Sequence, residues 1–176
     1  MSEDLAFEPE IVLRSLNDHG VKYVLIGGYA AVLHGSPTVT LDADICAARD
    51  KENLEQLARA LRAVHARIRT ATDPEGNPVS LDGAFLSKMT MMNFVTDGGA
   101  FDLTFTPAAF PSGYDGFAEH AVSYDIDGLI VPVASLADII RSKRAAGRPK
   151  DLAVLPILEA LQDEIADRER RKPMNP

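Results

Sequence analysis

The sequence predicts an α/β (α+β) fold: a short mixed β-sheet with flanking helices and a C-terminal helical pair. Three observations carry this expectation. An apolar strand, a short helix, a second strand and a longer helix alternate between Val21 and Val64, an order that builds a layered domain with its functional edge at strand ends. Two later pairs of β-prone runs are joined by Asp97-Gly98-Gly99 and Asp127-Gly128, which is hairpin turn chemistry. Two final stretches carry Leu and Ile at helical spacing on either side of Gly147.

Composition narrows the class. The 176 residues are 46% hydrophobic and 25% charged, as in ordinary soluble globular chains, and are enough for one domain with a real core. We take residues 1–176 as that domain, with a core at about 21–133 and helices at about 135–171. No apolar run is long enough to span a bilayer, and the acidic start MSEDLAFEPE is unlike a signal peptide. The expected location is the cytoplasm, with no membrane partner. A single cysteine, Cys46, excludes an internal disulfide framework and a cysteine-based zinc site. A net charge of −8 argues against a general nucleic-acid binder, whose affinity would come from a basic surface.

The elements follow in order. Residues 9–19 place Ile11, Val12, Leu13 and Leu16 at helical spacing, closed by Gly20. Residues 23–26 read as a buried strand, residues 29–34 as a short helix, and Gly35-Ser36-Pro37 ends it. The next strand carries Asp42 and Asp44. Asp50 caps a helix to about Val64, with Leu54, Leu57 and Leu61 on one face. Residues 72–83, with two prolines, two glycines and two aspartates, read as a surface loop. Residues 88–96 and 100–106 form the first hairpin, residues 107–116 irregular chain, and residues 121–126 and 129–133 the second hairpin. Ser135 opens a helix through Ala146, and Pro149 opens the last one, with Leu152, Leu155, Leu158 and Leu161 expected inward. Arg168 to Lys172 suit its C-terminal dipole and Pro173 is its expected stop.

The chemistry concentrates in VKYVLIGGYAAVLHGSPTVTLDADI, residues 21–45. Strand side chains alternate faces, so Asp42 and Asp44 share one surface, with Cα atoms about 7 Å apart. Two carboxylates this close repel, and a divalent cation is a common reason to keep both ionised. The alternative is an exposed acidic strand. Cys46 falls on the same face, either near that metal or as a small buried hydrophobe. Gly27 and Gly28 sit between strand and helix, where a phosphate could approach bare backbone. Asp102, between Phe101 and Leu103, can join the aspartate pair if its hairpin arm lies beside that strand. Late in the chain, SKRAAGRPKD gathers Lys143, Arg144, Arg148, Lys150 and Asp151 at a helix-to-helix turn. This is either an anion seat or a solvated corner that complements a helix C-terminus. A second Asp-x-Asp, Asp125 and Asp127, is read as turn structure, because no glycine corner precedes it.

Gly-Gly, thirteen residues, then Asp-x-Asp resembles the signature of the nucleotidyltransferase superfamily that includes DNA polymerase β. With FDLTFTP and VASLADIIRSKRAAGRPKDLAVLPIL, the chain from about Val21 to Leu158 resembles the bacterial nucleotidyltransferases related to AbiEii toxins of toxin–antitoxin systems. The resemblance implies a nucleotidyltransferase fold and transfer of an NMP group from an NTP, with ATP-binding among its expectations. It implies two Mg²⁺ held by Asp42, Asp44 and Asp102. Gly27, Gly28, Ser36, Lys143 and Lys150 would serve the nucleotide, with Asp151 orienting a lysine; Lys143 and Asp151 count among the catalytic set. The implied acceptor is RNA, such as tRNA, or protein, and a cognate antitoxin is a possible partner. The chain departs from the pattern at Thr38, where relatives often carry arginine or another large polar residue. The competing expectation is a catalytically inactive protein that keeps the fold as a partner-binding or antitoxin-like module.

Overall fold

The computed structural model describes residues 7–171. Eight strands form one mixed sheet: β1 (Tyr23–Ile26), β2 (Asp42–Ala47), β3 (Arg67–Thr70), β4 (Asp73–Pro78), β5 (Met91–Thr96), β6 (Gly99–Thr104), β7 (Val122–Ile126) and β8 (Leu129–Val133), in the spatial order β4-β3-β5-β6-β2-β1-β8-β7. The helices are α1 (Pro9–Asp18), α2 (Gly27–Leu33), α3 (Lys51–Ala63), α4 (Gly83–Ser87), α5 (Tyr114–Ala118), α6 (Leu136–Ala146) and α7 (Pro149–Arg171). The mixed sheet and the late helical pair are those the sequence predicts.

Turn and cap chemistry explains most boundaries. Asp50 accepts a hydrogen bond from the Asn53 N–H at 3.0 Å and Ser135 accepts one from Asp138 N–H at 3.1 Å, so both cap as expected. Gly147 closes α6 in the left-handed region, φ 62°. At the β7–β8 turn Asp127 and Gly128 have φ 50° and 82°, and Asp125 accepts from Gly128 N–H at 2.7 Å. Asp127 is thus a turn residue, and Asp125, near the end of β7, braces the same turn.

Three expectations are corrected. The chain read as loop from residue 72 contains β4, and β3 precedes it. This edge hairpin pairs through β3 with β5, and an edge strand tolerates Pro74 and Pro78 because it need not donate on its outer side. The second helix starts at Gly27 itself rather than at Tyr29. Leu152 faces outward, 49% exposed, while Leu155 and Leu158 are buried. The expected stop at Pro173, and Lys172 before it, lie outside the described residues.

One apolar cluster runs from Val12 on α1 to Leu158 on α7. Phe94, Phe101, Leu103 and Ile45 are fully buried on one face of the central strands, each removal from water contributing roughly 1.5–3 kcal/mol. Asn53, also fully buried, accepts from Lys22 N–H at 2.7 Å and donates to the Lys22 and Ala48 carbonyls. It therefore pins the start of β1 to the chain leaving β2. No helix among the described residues is long and apolar enough to cross a membrane.

Candidate active site

The site grows from sheet register. β2 lies between β1, antiparallel, and β6, parallel, with Asp44 opposite Ile26 on one side and Asp102 on the other. Asp102 in turn faces Asn93 on β5. Ala43, Ile45, Phe101, Leu103, Met92 and Phe94 point into the core, so alternation sends Asp42, Asp44, Asp102 and Asn93 to the other face. The pairs Arg67↔Val95 and Ile68↔Phe94 bring Arg69 to the level of Asn93. Its guanidinium donates to Asp102 Oδ1 at 2.6 Å and to the Phe94 carbonyl at 2.9 Å. Four adjacent strands thus supply one polar row: Arg69, Asn93, Asp102, Asp44.

The glycine corner is shaped by its own neighbours. Gly27 has φ 73°, and a Cβ there would lie 2.8 Å from Asp44 Cγ, far inside contact distance. A Cβ on Gly28 would meet Thr40 Oγ1 at 3.0 Å. Thr40 donates to Asp42 Oδ1 at 2.7 Å, which fixes that carboxylate from the loop side. Ser36 is buried and its hydroxyl pairs with Thr38 Oγ1 at 2.9 Å, so both hydroxyls organise the loop before β2. His34 ends α2. Its Nε2 lies 2.7 Å from the Ala134 carbonyl, an acceptor only, so Nε2 donates and Nδ1 accepts from Tyr124 OH at 2.8 Å. That link ties the corner helix to the segment leading into α6, which itself packs on α2 and α7.

The basic turn is built around Asp151, whose side chain is 1% exposed. Lys143 Nζ lies 3.3 Å from its Oδ1, and Arg148 donates to both of its oxygens. Burial raises the Asp151 pKa, but the Arg148 hydrogen bond and the Lys143 and Arg148 charges outweigh it and leave it below the usual carboxylate value. Asp151 therefore stays ionised and holds both cations. The charges of Lys143 and Lys150 lower the Asp44 pKa, and those of Asp44 and Asp102 add to the rise in that of Arg148.

Burial, then the charges of Asp42 and Asp102, push Asp44 up to about 7, with Lys143 and Lys150 pulling it down. Burial also raises Asp102, opposed by Arg69 and by a hydrogen bond with Asn93. A half-buried carboxylate repelled by two others fits a divalent cation, and an all-oxygen donor set suits Mg²⁺. Among the described residues no three of His, Cys, Asp and Glu converge closely enough to hold a metal ion together. Asp42 and Asp44 are the pair that fit it directly, because Asp102 has one oxygen committed to Arg69. Cys46 takes no part. Burial and then the Asp115 charge push its thiol up to about 12, and it is fully buried against the Phe105 carbonyl.

A pH dependence follows. The Asp44 carboxyl ionises near 3.8 when unfolded and near 7 when folded, so its contribution to apo stability is full below 3.8 and is lost as pH rises through about 7. A cation competes with that proton. The Mg²⁺-induced rise in melting temperature is expected to be small at about pH 5 and larger at about pH 8, read by scanning calorimetry. A rise that does not change with pH would contradict Asp44 as a ligand.

Sequence reasoning missed Arg69 and left Arg148 without a role. The alternation Arg67-Ile68-Arg69-Thr70 was the available signal for a strand carrying an inward cation.

No family model and no curated protein matches the sequence. Solved structures do. The fold is similar to the lincosamide antibiotic adenylyltransferase LnuA with lincomycin bound, at TM-score 0.57 and 15% identity over 88% of this chain and 96% of that one. It is similar to ANT(2'')-Ia in complex with adenylyl-2''-tobramycin, at TM-score 0.54 and 14% identity over 92% and 96% of the two chains. A third is an antigenic nucleotidyltransferase-like protein from Paracoccidioides brasiliensis, at 0.52 and 16% over 98% and 90%. The chain has a nucleotidyltransferase-like fold.

Proposed function

We propose that this chain, acting as one unit over residues 1–176, is a Mg²⁺-dependent nucleotidyltransferase that moves an NMP group from an NTP to an acceptor. The carrying observation is that Asp42, Asp44 and Asp102 share one face of neighbouring strands; the Lys143 and Lys150 charges, which lower the Asp44 pKa, support it. Asp42 and Asp44 bind the metal that accompanies the nucleotide; Asp102 lies beside them for a second ion on the acceptor side. Bound divalent cations would polarise the α-phosphate, help deprotonate the acceptor and neutralise the leaving pyrophosphate. Lys143 and Lys150 hold the triphosphate, Asp151 orients Lys143, and the Gly27-Gly28 backbone lets the phosphates approach the Asp44 carboxylate closely.

Lys143→Ala is expected to weaken NTP binding by about 1–3 kcal/mol, the scale of a lost charge-assisted hydrogen bond. Lys143→Arg is not expected to restore it, since a planar fork does not replace a point charge. Calorimetric titration with each NTP checks both; unchanged affinity in Lys143→Ala removes that residue from the site.

The acceptor reading carried by the family resemblance is RNA or protein, as in a toxin with a cognate antitoxin. The two antibiotic-bound neighbours favour a small hydroxylated molecule instead. Incubation with α-labelled NTPs, Mg²⁺ and either cell RNA and protein or small hydroxylated antibiotics distinguishes them by where the label goes. Label in none of them, together with no NTP binding, would favour a catalytically inactive binding protein.

A further inference from the structure

Among the described residues Arg69 is the one guanidinium hydrogen-bonded to a carboxylate of the row, and its placement has a direct consequence for metal loading. It comes from the edge hairpin β3–β4, two strands away from the strand that carries Asp102. Its Nη2 lies 2.6 Å from Asp102 Oδ1, and its Nε is fixed on the Phe94 carbonyl at 2.9 Å. The pair is sheltered, with side chains 28% and 20% exposed, so water screens it less than a surface ion pair. The second anchor also matters. A guanidinium tied at Nε to main chain cannot swing away without breaking both bonds, whereas among the described residues Asp42 has only the neutral hydroxyl of Thr40 on its carboxylate.

We propose that Arg69 is a positioning residue that keeps Asp102 out of the metal-ligand set at rest, so that the free protein takes one divalent cation, through Asp42 and Asp44, rather than two. The inference rests on the nucleotidyltransferase reading and refines it. A guanidinium 2.6 Å from one Asp102 oxygen places a fixed positive charge beside the position a second cation would occupy, and like charges at that range repel strongly. Three carboxylates without Arg69 would present enough negative charge for two cations; with it, the local charge suits one. Loading of the acceptor-side ion is thereby coupled to whatever draws Arg69 off Asp102, and an incoming anionic group is the chemistry that would do so.

The test counts metal, not turnover. Mn²⁺ binding to the free full-length protein, measured by the electron paramagnetic resonance signal of unbound Mn²⁺, is expected to give one ion per chain in the wild type. Arg69→Gln should bind a second, and Arg69→Lys, which keeps the charge, should remain at one. Arg69→Met gives an independent reading should Arg69→Gln fail to fold: it keeps an apolar stem of similar length without the charge, and it is likewise expected to bind a second Mn²⁺. Two ions in the wild type, or one ion in a folded Arg69→Gln or Arg69→Met, would overturn the inference while leaving the metal reading intact. No Mn²⁺ bound by any of these proteins would overturn the metal reading as well.

Discussion

Asp44→Asn is expected to reduce nucleotidyl transfer by about 10³-fold or more, since charge stabilisation lost at a reacting phosphate exceeds the 10²–10³ typical of a single hydrogen-bond donor. The same substitution is expected to raise the apo protein's melting temperature above neutral pH. Asp44 is half-buried and repelled by Asp42 and Asp102, which is why its pKa stands at about 7. An ionised Asp44 therefore destabilises the empty fold, and the isosteric amide removes that repulsion. A gain of a few degrees is the scale for one or two kcal/mol in a chain of this size. Activity lost with stability gained marks a residue kept for chemistry rather than folding. A variant that melts lower and transfers normally would contradict both halves.

Gly27→Ala should produce the second largest effect, through geometry alone. Alanine at φ 73° is strained by about 1–2 kcal/mol, and its Cβ would also collide with the Asp44 carboxylate. Either Asp44 moves or the β1–α2 corner opens, and misplacing a ligand by about 1 Å can reduce turnover by about 10²-fold. Gly128→Ala is the matched control. Gly128 has φ 82°, but a Cβ there meets nothing within 4 Å, so it should lose comparable stability and keep activity. Equal activity in the two variants would show that the Gly27–Asp44 contact is unimportant.

These two residues were legible in the sequence because their signals are local. Alternation along a strand puts Asp42 and Asp44 together, and a glycine pair between strand and helix announces a sharp corner. The joining of Asp102 to Asp44 needed the parallel pairing of β2 with β6, which no short-range pattern specifies; the flanking Phe101 and Leu103 only made it plausible. Arg69 was missed for a different reason: the alternation at residues 67–70 marks a strand but not the strand it pairs with. Its hairpin, with Pro74, Gly76 and Pro78, has the composition of a loop, and it is held as strand by pairing with β5 and by bonds such as Arg67 Nε to the Glu75 carbonyl at 2.8 Å. Tertiary pairing overrode local propensity there. The basic turn lay between these cases. Its residues were visible at Gly147, while the burial of Asp151, which makes it an anchor for Lys143 and Arg148, follows from how α6 packs on α7.

The metal-dependent nucleotide site is tested most directly by calorimetric titration of NTPs into the wild type and into the Asp42→Ala/Asp44→Ala double variant, each with and without millimolar Mg²⁺. One NTP is expected to bind per wild-type chain only when Mg²⁺ is present, with no measurable binding to a folded double variant. NTP binding that needs no Mg²⁺ and survives loss of both aspartates, or no NTP binding to the wild type at all, would contradict that site.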